Sequence, residues 1–359
     1  MKIAQLITSL TIGGAEKLVI ESVPLYQKKG IEVDVITLSN KVTSFTEKLK
    51  KESIGNTIGL SGGSVYNPLL IFKLIKIINK YDLIHAHLFP VLYWVVIAKW
   101  LTFSNTKIIY TEHSTSNRRR KHFLLKKVDK LIYKGINTIV TISDEVDSKL
   151  KAHLKNNSLN FKMIHNGVDI EKFITAKPLS KSDFFESNDF VIIQVSSFRK
   201  EKDQATVIRA ISLLPKKYKL LLVGDGHLMK ENENLVEKLG LSERVKFLGV
   251  RNDVPNLLQM ADVSVLSSFH EGLSLSCIEG MSVGPFIGSN VPGLGEVIRD
   301  SGILFEQGDY IKLSEIIKKL DDNKPYYELI SKKCLDKVQS FKIDYMVDNY
   351  IDLYKNLLK

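Results

Sequence analysis

Two doubly wound α/β domains in tandem are what this sequence predicts, and three observations predict them. Short apolar runs rich in β-branched residues recur along the chain with helical patterns between them, as stacked βαβ units require. That alternation breaks off at a polar tract and then starts again. A length of 359 residues is too great for one ordinary core and suits two domains of about 150–180 residues each.

In the first half, strands are expected near residues 2–7, 32–38, 83–85, 107–111 and 138–142, where β-branched and aliphatic residues cluster. Helical spacing of apolar residues marks 16–29, 68–80 and 143–155. Ile164-His165-Asn166-Gly167-Val168-Asp169 follows, with the turn dipeptide Asn-Gly at its centre, and then a tract rich in Ser, Lys and Asp from 177 to 189. The pattern resumes with strands near 191–195, 219–223, 245–247, 263–266 and 285–288. Helices between them fit 203–213, 229–239, 253–260, 276–282 and 313–320, and the tail from 326 to 359 reads as one or two amphipathic helices. No repeat of solenoid period occurs.

Composition narrows the class. A hydrophobic content of 44% beside 25% charged residues is that of a soluble globular protein. Cys277 and Cys334 are the only cysteines, too few for a disulfide framework, so a reducing compartment is expected. Cys277 reads as a small buried apolar residue rather than a nucleophile. The first eight residues look like the start of a signal peptide, but Gly13-Gly14 arrives too early and no small-residue cleavage site follows. The longest apolar run, 91–98, is broken by Lys99 and falls far short of a bilayer span. The expected location is cytoplasmic, with peripheral attachment at the inner membrane face as an option.

That option comes from charge. The net charge of +11 is concentrated in Arg118-Arg119-Arg120-Lys121-His122 and in Lys126, Lys127, Lys130 and Lys134, interleaved with Phe123, Leu124, Leu125, Leu131 and Ile132. A helix over 118–134 would carry a basic face beside an apolar one, as helices lying on anionic membranes do. A solvated helix whose apolar stripe enters the core fits equally well. No nucleic-acid-binding module accompanies the patch, and nucleic acid is not an expected partner.

The most informative segment is Ser267-Ser268-Phe269-His270-Glu271-Gly272-Leu273-Ser274-Leu275-Ser276-Cys277-Ile278-Glu279. It puts two glutamates around a Gly-containing turn between a strand and a helix start. Unpaired backbone N–H groups and the helix dipole make such a place attractive to anions. Glu271 would precede the turn and Glu279 would sit two helical turns beyond it, so one segment presents a carboxylate to each end of an extended ligand. A diphosphate across the amides, with a sugar on one side and a ribose on the other, fits.

Other candidates follow strands in the same way. Gly13-Gly14 opens the first helix and would let a phosphate or sugar approach the backbone, though a plain βα turn would look the same. Arg199 and Lys202 follow the first strand of the second half, where cations would neutralise a leaving diphosphate; surface lysines are more often merely solvated. Val223-Gly224-Asp225-Gly226 is a further βα turn. His113 ends a strand and would point toward a ligand cleft between the domains, within reach of a sugar hydroxyl, or else serve as a structural histidine. His85 and His87 share one strand face; the spacing suits a metal pair, but no third ligand is evident and a structural role is preferred.

In this order, Gly13-Gly14, the strand-end His113, Asn166-Gly167-Val168-Asp169, Arg199 and Lys202, Glu-x7-Glu and Pro292-x-x-Gly295-Glu296, the chain resembles the retaining glycosyltransferases of family 4 over almost its whole length. The resemblance implies a GT-B fold: two Rossmann-like domains, residues 1–170 and 171–339, with 340–359 crossing back onto the first. It implies that the first domain binds the acceptor and the second a nucleotide-sugar donor. Glu271 would lie near the transferred sugar and Glu279 at the ribose hydroxyls, with the amides of Gly272, Leu273 and Ser274 at the sugar or diphosphate. Lys202 would clamp the diphosphate, with Gly14 beneath it and His113 at the catalytic centre. Val250 and Arg251 fall where the nucleobase packs. Many members carry arginine five positions before the lysine, whereas this chain has Ser197; Arg199 is the candidate substitute.

The reaction so implied is sugar transfer with retention at the anomeric carbon, to a glycan or lipid-linked acceptor in cell-surface polysaccharide or glycolipid assembly. Protein cations would stabilise the leaving diphosphate, and no Asp-x-Asp occurs to hold a divalent metal, so neither metal nor other cofactor is expected. Two rivals share the scaffold: a nucleotide-sugar epimerase or phosphorylase, and a catalytically silent protein that binds a membrane surface or a glycan.

Overall fold

The β-branched runs form strands, and every strand lies parallel to its sheet neighbours. The computed structural model describes residues 1–359 apart from 12, 52–54, 116–121 and 157. It divides into two units, Met1–Gly167 with Ile343–Lys359, and Val168–Lys342.

The first unit runs β1 (Lys2–Ile7), α1 (Gly14–Lys28), β2 (Glu32–Ser39), α2 (Ser44–Lys51), β3 (Thr57–Ser61), α3 (Leu70–Ile75) and β4 (Leu83–His87). It continues through α4 (Val91–Thr102), β5 (Lys107–Glu112), α5 (Phe123–Ile132), β6 (Thr138–Thr141), α6 (Asp144–Leu154) and β7 (Phe161–Met163). Its seven strands are ordered β3-β2-β1-β4-β5-β6-β7.

Strand side chains alternate between the two faces of the sheet. Ala4 and Leu6 of β1 join a core with α3, α4, α5 and α6, whereas Ile3 and Ile7 join one with α1, α2 and the C-terminal helix. That helix enters the first unit because Ile343, Met346, Val347, Tyr350, Ile351 and Tyr354 form one apolar stripe at helical spacing.

The second unit runs α7 (Ile170–Ile174), β8 (Phe190–Val195), α8 (Gln204–Ser212), β9 (Tyr218–Val223), α9 (Met229–Lys238), β10 (Val245–Phe247) and α10 (Val254–Met260). Then come β11 (Val263–Leu266), α11 (Leu275–Met281), β12 (Phe286–Ser289), α12 (Leu294–Ile298), β13 (Ile303–Phe305), α13 (Tyr310–Asp322) and α14 (Lys324–Val338). The last helix, α15 (Ile343–Leu358), belongs to the first unit. The six strands of the second sheet are ordered β10-β9-β8-β11-β12-β13.

In each sheet the strand order reverses once, between β1 and β4 and between β8 and β11. Ligands of such sheets bind beyond the carboxyl ends of the strands at that reversal. The loops after β8 and β11 carry Lys202 and Glu271; in the first sheet Gly14 opens the helix after β1, and His113 follows β5, the neighbour of β4.

Some elements differ from expectation. The helix expected over 68–80 is α3 followed by a separate 3₁₀ turn, Ile78–Lys80. The run 91–98, weighed only as a membrane span, is the core of α4, which is apolar around most of its circumference because helices and sheet enclose it. No described helix is long and apolar enough to cross a membrane. Of the basic segment 118–134, residues 118–121 lie outside the described residues; α5 covers 123–132, and a 3₁₀ turn, Tyr133–Gly135, carries Lys134.

Candidate active site

The loop after β8 and the loop after β11 are stitched together by backbone. Asp203 N–H donates to the Ser267 carbonyl at 3.0 Å, Phe269 N–H to the Glu201 carbonyl at 2.9 Å, and Lys202 pairs with Ser268 in a short antiparallel bridge. Asp203 strengthens the join: it caps α8 by accepting from Thr206, and it accepts from Ser267 Oγ at 3.1 Å.

This register brings Lys202 and Glu271 together although 69 residues separate them. Lys202 Nζ is ion-paired with Glu271 Oε1, and Ser268 Oγ donates to the same oxygen at 2.7 Å. The two side chains are only 17% and 11% exposed, so water screens the pair little. Ser268 is itself fixed by Ser289, whose hydroxyl accepts from Ser268 N–H at 2.9 Å and donates to its carbonyl at 2.8 Å.

Gly293 supports the turn from below. Its φ of +78° is in the left-handed region, and a Cβ there would lie 2.4 Å from the carbonyl oxygens of both Glu271 and Gly272. Only glycine lets the Pro292-Gly293 backbone approach this closely.

Glu279 is buried on α11, the same helix that Ser274 begins. The helix has seven residues and Glu279 is its fifth, so the carboxylate stands in the second turn and not two full turns in, as the spacing alone suggested. Gly272 is partly buried, and Leu273 and Ser274 are buried between the two glutamates. Cys277, on the far side of α11, is fully buried and burial pushes its thiol pKa well up.

Arg199 is exposed, and among the described residues its guanidinium has no ion pair or hydrogen bond; its carbonyl accepts from Lys202 N–H at 2.9 Å. Val250 is half exposed. Arg251 is committed to Asp253 through two bonds of 2.8 and 2.6 Å, which hold its charge at the start of α10.

In the first unit, Gly14 is the exposed first residue of α1, after Gly13 at an N-cap without a side-chain bond. His113 follows β5, partly buried, with Nε2 3.1 Å from His87 Nδ1. His87 Nε2 lies 2.7 Å from Gln5 Oε1. His85 Nδ1 lies 2.7 Å from Tyr354 Oη, and its Nε2 is 2.7 Å from Thr111 Oγ1. Both ring nitrogens of His85 and of His87 are thus occupied by protein groups, which accounts for the shared strand face without a metal. Among the described residues no group of three or more His, Cys, Asp or Glu side chains is gathered as a metal site.

Burial drives these imidazoles to the neutral form. The His85 pKa falls to about 3 and that of His113 to about 4, and His87 is also held well below the usual value by burial and by its neighbours. Unfolded histidines take up protons near pH 6.5, so below that pH the unfolded state binds more protons. Stability of the first unit is therefore complete above about pH 6.5 and declines as pH falls toward 4, by up to about 1.4 kcal/mol per pH unit for a fully buried imidazole such as His85. Urea unfolding between pH 7 and pH 5 should show a shallower decline in His85→Phe than in the parent; equal slopes would refute this.

Ser268, Ser289, Gly293, Gln5 and Tyr354 were not singled out from sequence. Their contacts span up to 349 residues, and no local pattern announces them.

Two Rossmann-like units, each with polar loops at its strand-order reversal, define the GT-B class of glycosyltransferase. The profile of the family "Glycosyl transferases group 1" matches residues 175–334, and that of "Glycosyltransferase Family 4" matches residues 12–172. The chain belongs to this group 1, family 4 glycosyltransferase family. It is 30% identical over 313 residues to the Escherichia coli UDP-Gal:alpha-D-GlcNAc-diphosphoundecaprenol alpha-1,3-galactosyltransferase, covering 80% of this chain and 78% of the relative. It is 27% identical over 308 residues to the Bacillus anthracis N-acetyl-alpha-D-glucosaminyl L-malate synthase, covering 82% and 80%. Among solved structures, Anabaena HepE in complex with UDP-glucose has a TM-score of 0.85 at 24% identity, over 99% of this chain and all of that one.

Proposed function

We propose that this glycosyltransferase moves a hexose from a nucleoside diphosphate sugar to a glycan or lipid-linked acceptor, with retention and without a divalent metal. The observation that carries the proposal is the Lys202–Glu271 pair, anchored by Ser268 where the β8 and β11 loops are stitched. Breaking the sugar–phosphate bond puts negative charge on the diphosphate and oxocarbenium character on the sugar. A fixed ammonium answers the first, and a carboxylate beside it faces the second.

Lys202 is the diphosphate cation, assisted by the uncommitted Arg199, which stands in for the arginine absent at Ser197. Glu271 faces the transferred sugar. Glu279 takes the ribose hydroxyls, and the backbone at 272–274 meets the sugar or diphosphate. Val250 packs the base; Arg251 contributes its position through Asp253 more than a free charge. In the first unit, Gly14 is assigned a role toward the diphosphate and His113 a role toward a sugar hydroxyl. The leaving phosphate takes the acceptor's proton. The E. coli relative, whose name pairs UDP-Gal with a diphosphoundecaprenol-linked acceptor, makes UDP-hexoses and polyprenyl diphosphate sugars the first pair to test.

A screen of UDP-, GDP- and ADP-hexoses by thermal unfolding tests the donor assignment. At a hundredfold excess over Kd, one base series should add about 2.7 kcal/mol of apparent stability. No stabilisation by any would contradict it. Proton NMR of the first-formed product should show the donor's anomeric configuration, and EDTA should leave the rate unchanged; inversion or loss of rate with EDTA would refute those parts.

Attachment to an anionic membrane through α5 belongs to the same proposal. Phe123, Leu125, Val128 and Leu131 are exposed beside the exposed Lys127 and Lys134, a mixed face suited to a lipid headgroup boundary. Vesicles containing phosphatidylglycerol should retain the protein, and Phe123→Ser with Lys127→Glu should reduce retention about tenfold. Equal retention on neutral vesicles would count against it.

A further inference from the structure

The polar groups between β1, β4, β5 and α15 form one directed hydrogen-bond chain. Its parts are buried: Gln5, His85, His87, Thr111, Tyr350 and Tyr354 are each no more than 3% exposed. Such a network persists only if donors and acceptors alternate without conflict.

The direction follows from Gln5. Its carboxamide oxygen can only accept, so His87 Nε2, 2.7 Å away, carries a proton. Neutral His87 then has its lone pair on Nδ1, and His113 Nε2, 3.1 Å away, must donate to it. Neutral His113 is left with an unprotonated Nδ1, which has no hydrogen-bond partner among the described residues. The other end is consistent. Gln5 Nε2 donates to Tyr354 Oη at 3.3 Å, and Tyr354 donates to Tyr26 Oη at 3.3 Å. His85 Nδ1–H can then donate to Tyr354 Oη, leaving His85 Nε2 to accept from Thr111, which accepts from Tyr350 at 3.0 Å.

We propose that Gln5 and His87 are positioning residues that lock His113 in the Nε2–H tautomer, so that its Nδ1 offers only a lone pair to a substrate hydroxyl. The identity of that hydroxyl as a sugar's rests on the glycosyl-transfer reading; the tautomer does not. A histidine so fixed gives its one N–H to His87 and can only accept at Nδ1, and the choice is made by an amide oxygen on β1. The tyrosines of α15 hold that amide in place, so the C-terminal helix acts on His113 through two intermediates.

Long-range proton–nitrogen correlation spectra of the full chain, labelled with ¹⁵N-histidine at pH 7, read the tautomer directly. The His113 signals are those lost in His113→Asn. The expected spectrum has a bare Nδ1 and a protonated Nε2 for His113; the reverse, or an average of the two, would overturn the proposal. In Gln5→Met, close to the parent in volume, the His113 pattern should move to an average of the two tautomers. With UDP-glucose as the probe, kcat for UDP release should fall about tenfold with KM within about twofold. An unchanged His113 spectrum in Gln5→Met overturns the role of Gln5 even if activity falls. Should Gln5→Met fail to fold, the parent spectrum still decides the tautomer. Absence of UDP release by the parent enzyme counts against UDP-glucose as its donor alone, because the spectra require no substrate.

Discussion

Replacing Lys202 with alanine is expected to slow sugar transfer by about 10²–10³-fold, the usual cost of removing one preorganised group from a developing anion. Three features place this effect near the top of that range. The ammonium is 17% exposed, so bulk water does little to replace it. Its backbone is held by the bridge to Ser268 and by the Arg199 carbonyl, so neighbouring Lys200 has no comparable position. Its removal leaves Glu271, 11% exposed, with Ser268 Oγ as its remaining side-chain partner among the described residues, and that carboxylate then repels the developing anion. Glu271→Gln keeps the Ser268 bond and removes the charge, so it should lower kcat more than donor affinity. Steady-state kinetics on the purified variants check both; activity within twofold of the parent in Lys202→Ala would refute the role.

Gly293→Ala is expected to weaken donor binding at least tenfold without touching a charged group. The residue would have to hold φ +78° with its Cβ 2.4 Å from two carbonyl oxygens, both belonging to the turn that carries Glu271. Left-handed backbone alone costs about 1–2 kcal/mol outside glycine, and the overlap cannot be relieved by a side chain because both neighbours are backbone. The turn must therefore move. Gly240 is the matched control: its φ is +67°, but nothing lies within 4 Å of a Cβ there. Gly240→Ala should lose about 1 kcal/mol in urea unfolding and keep full nucleotide affinity. Gly293→Ala should weaken binding of whichever nucleotide the parent takes at least tenfold by calorimetry, as a shift of about 1.4 kcal/mol or more. Equal affinities in the two variants would show that the turn tolerates displacement.

The central strands were legible because they are enclosed on both faces, and enclosure favours the largely aliphatic runs seen in β1, β8 and β11, whose interiors carry only Gln5, Gln194 and Ser264 as polar residues. The edge strands β3, β7 and β13 were not, being three to five residues long with half-exposed side chains that carry no alternation. Helix α4 lacked a polar stripe, which removed the periodicity that reveals a helix and left only a run of apolar residues.

The site divides along the same line. Glu271, Glu279 and Lys202 could be found because strand–turn–helix junctions expose backbone N–H groups and place side chains there at fixed offsets. Their supports could not. Ser268 takes its geometry from Ser289 on the next strand, Glu271 takes its turn from Gly293, and the ring nitrogen of His113 that faces His87 lies at the end of a chain that begins at Gln5. Each of these pairings exists only once the sheets are assembled. Spacing also misjudged depth: the segment 271–279 was read as reaching two helical turns, but its first three residues are spent before the cap at Ser274.

Release of nucleoside diphosphate from a panel of UDP-, GDP- and ADP-hexoses, measured in parallel for the parent and for Lys202→Ala, tests the account most directly. The account predicts release from one base series by the parent, and at least a hundredfold less from the same sugar by the variant. Release from none of the panel with a polyprenyl diphosphate sugar present, or equal release by the two proteins, would contradict it.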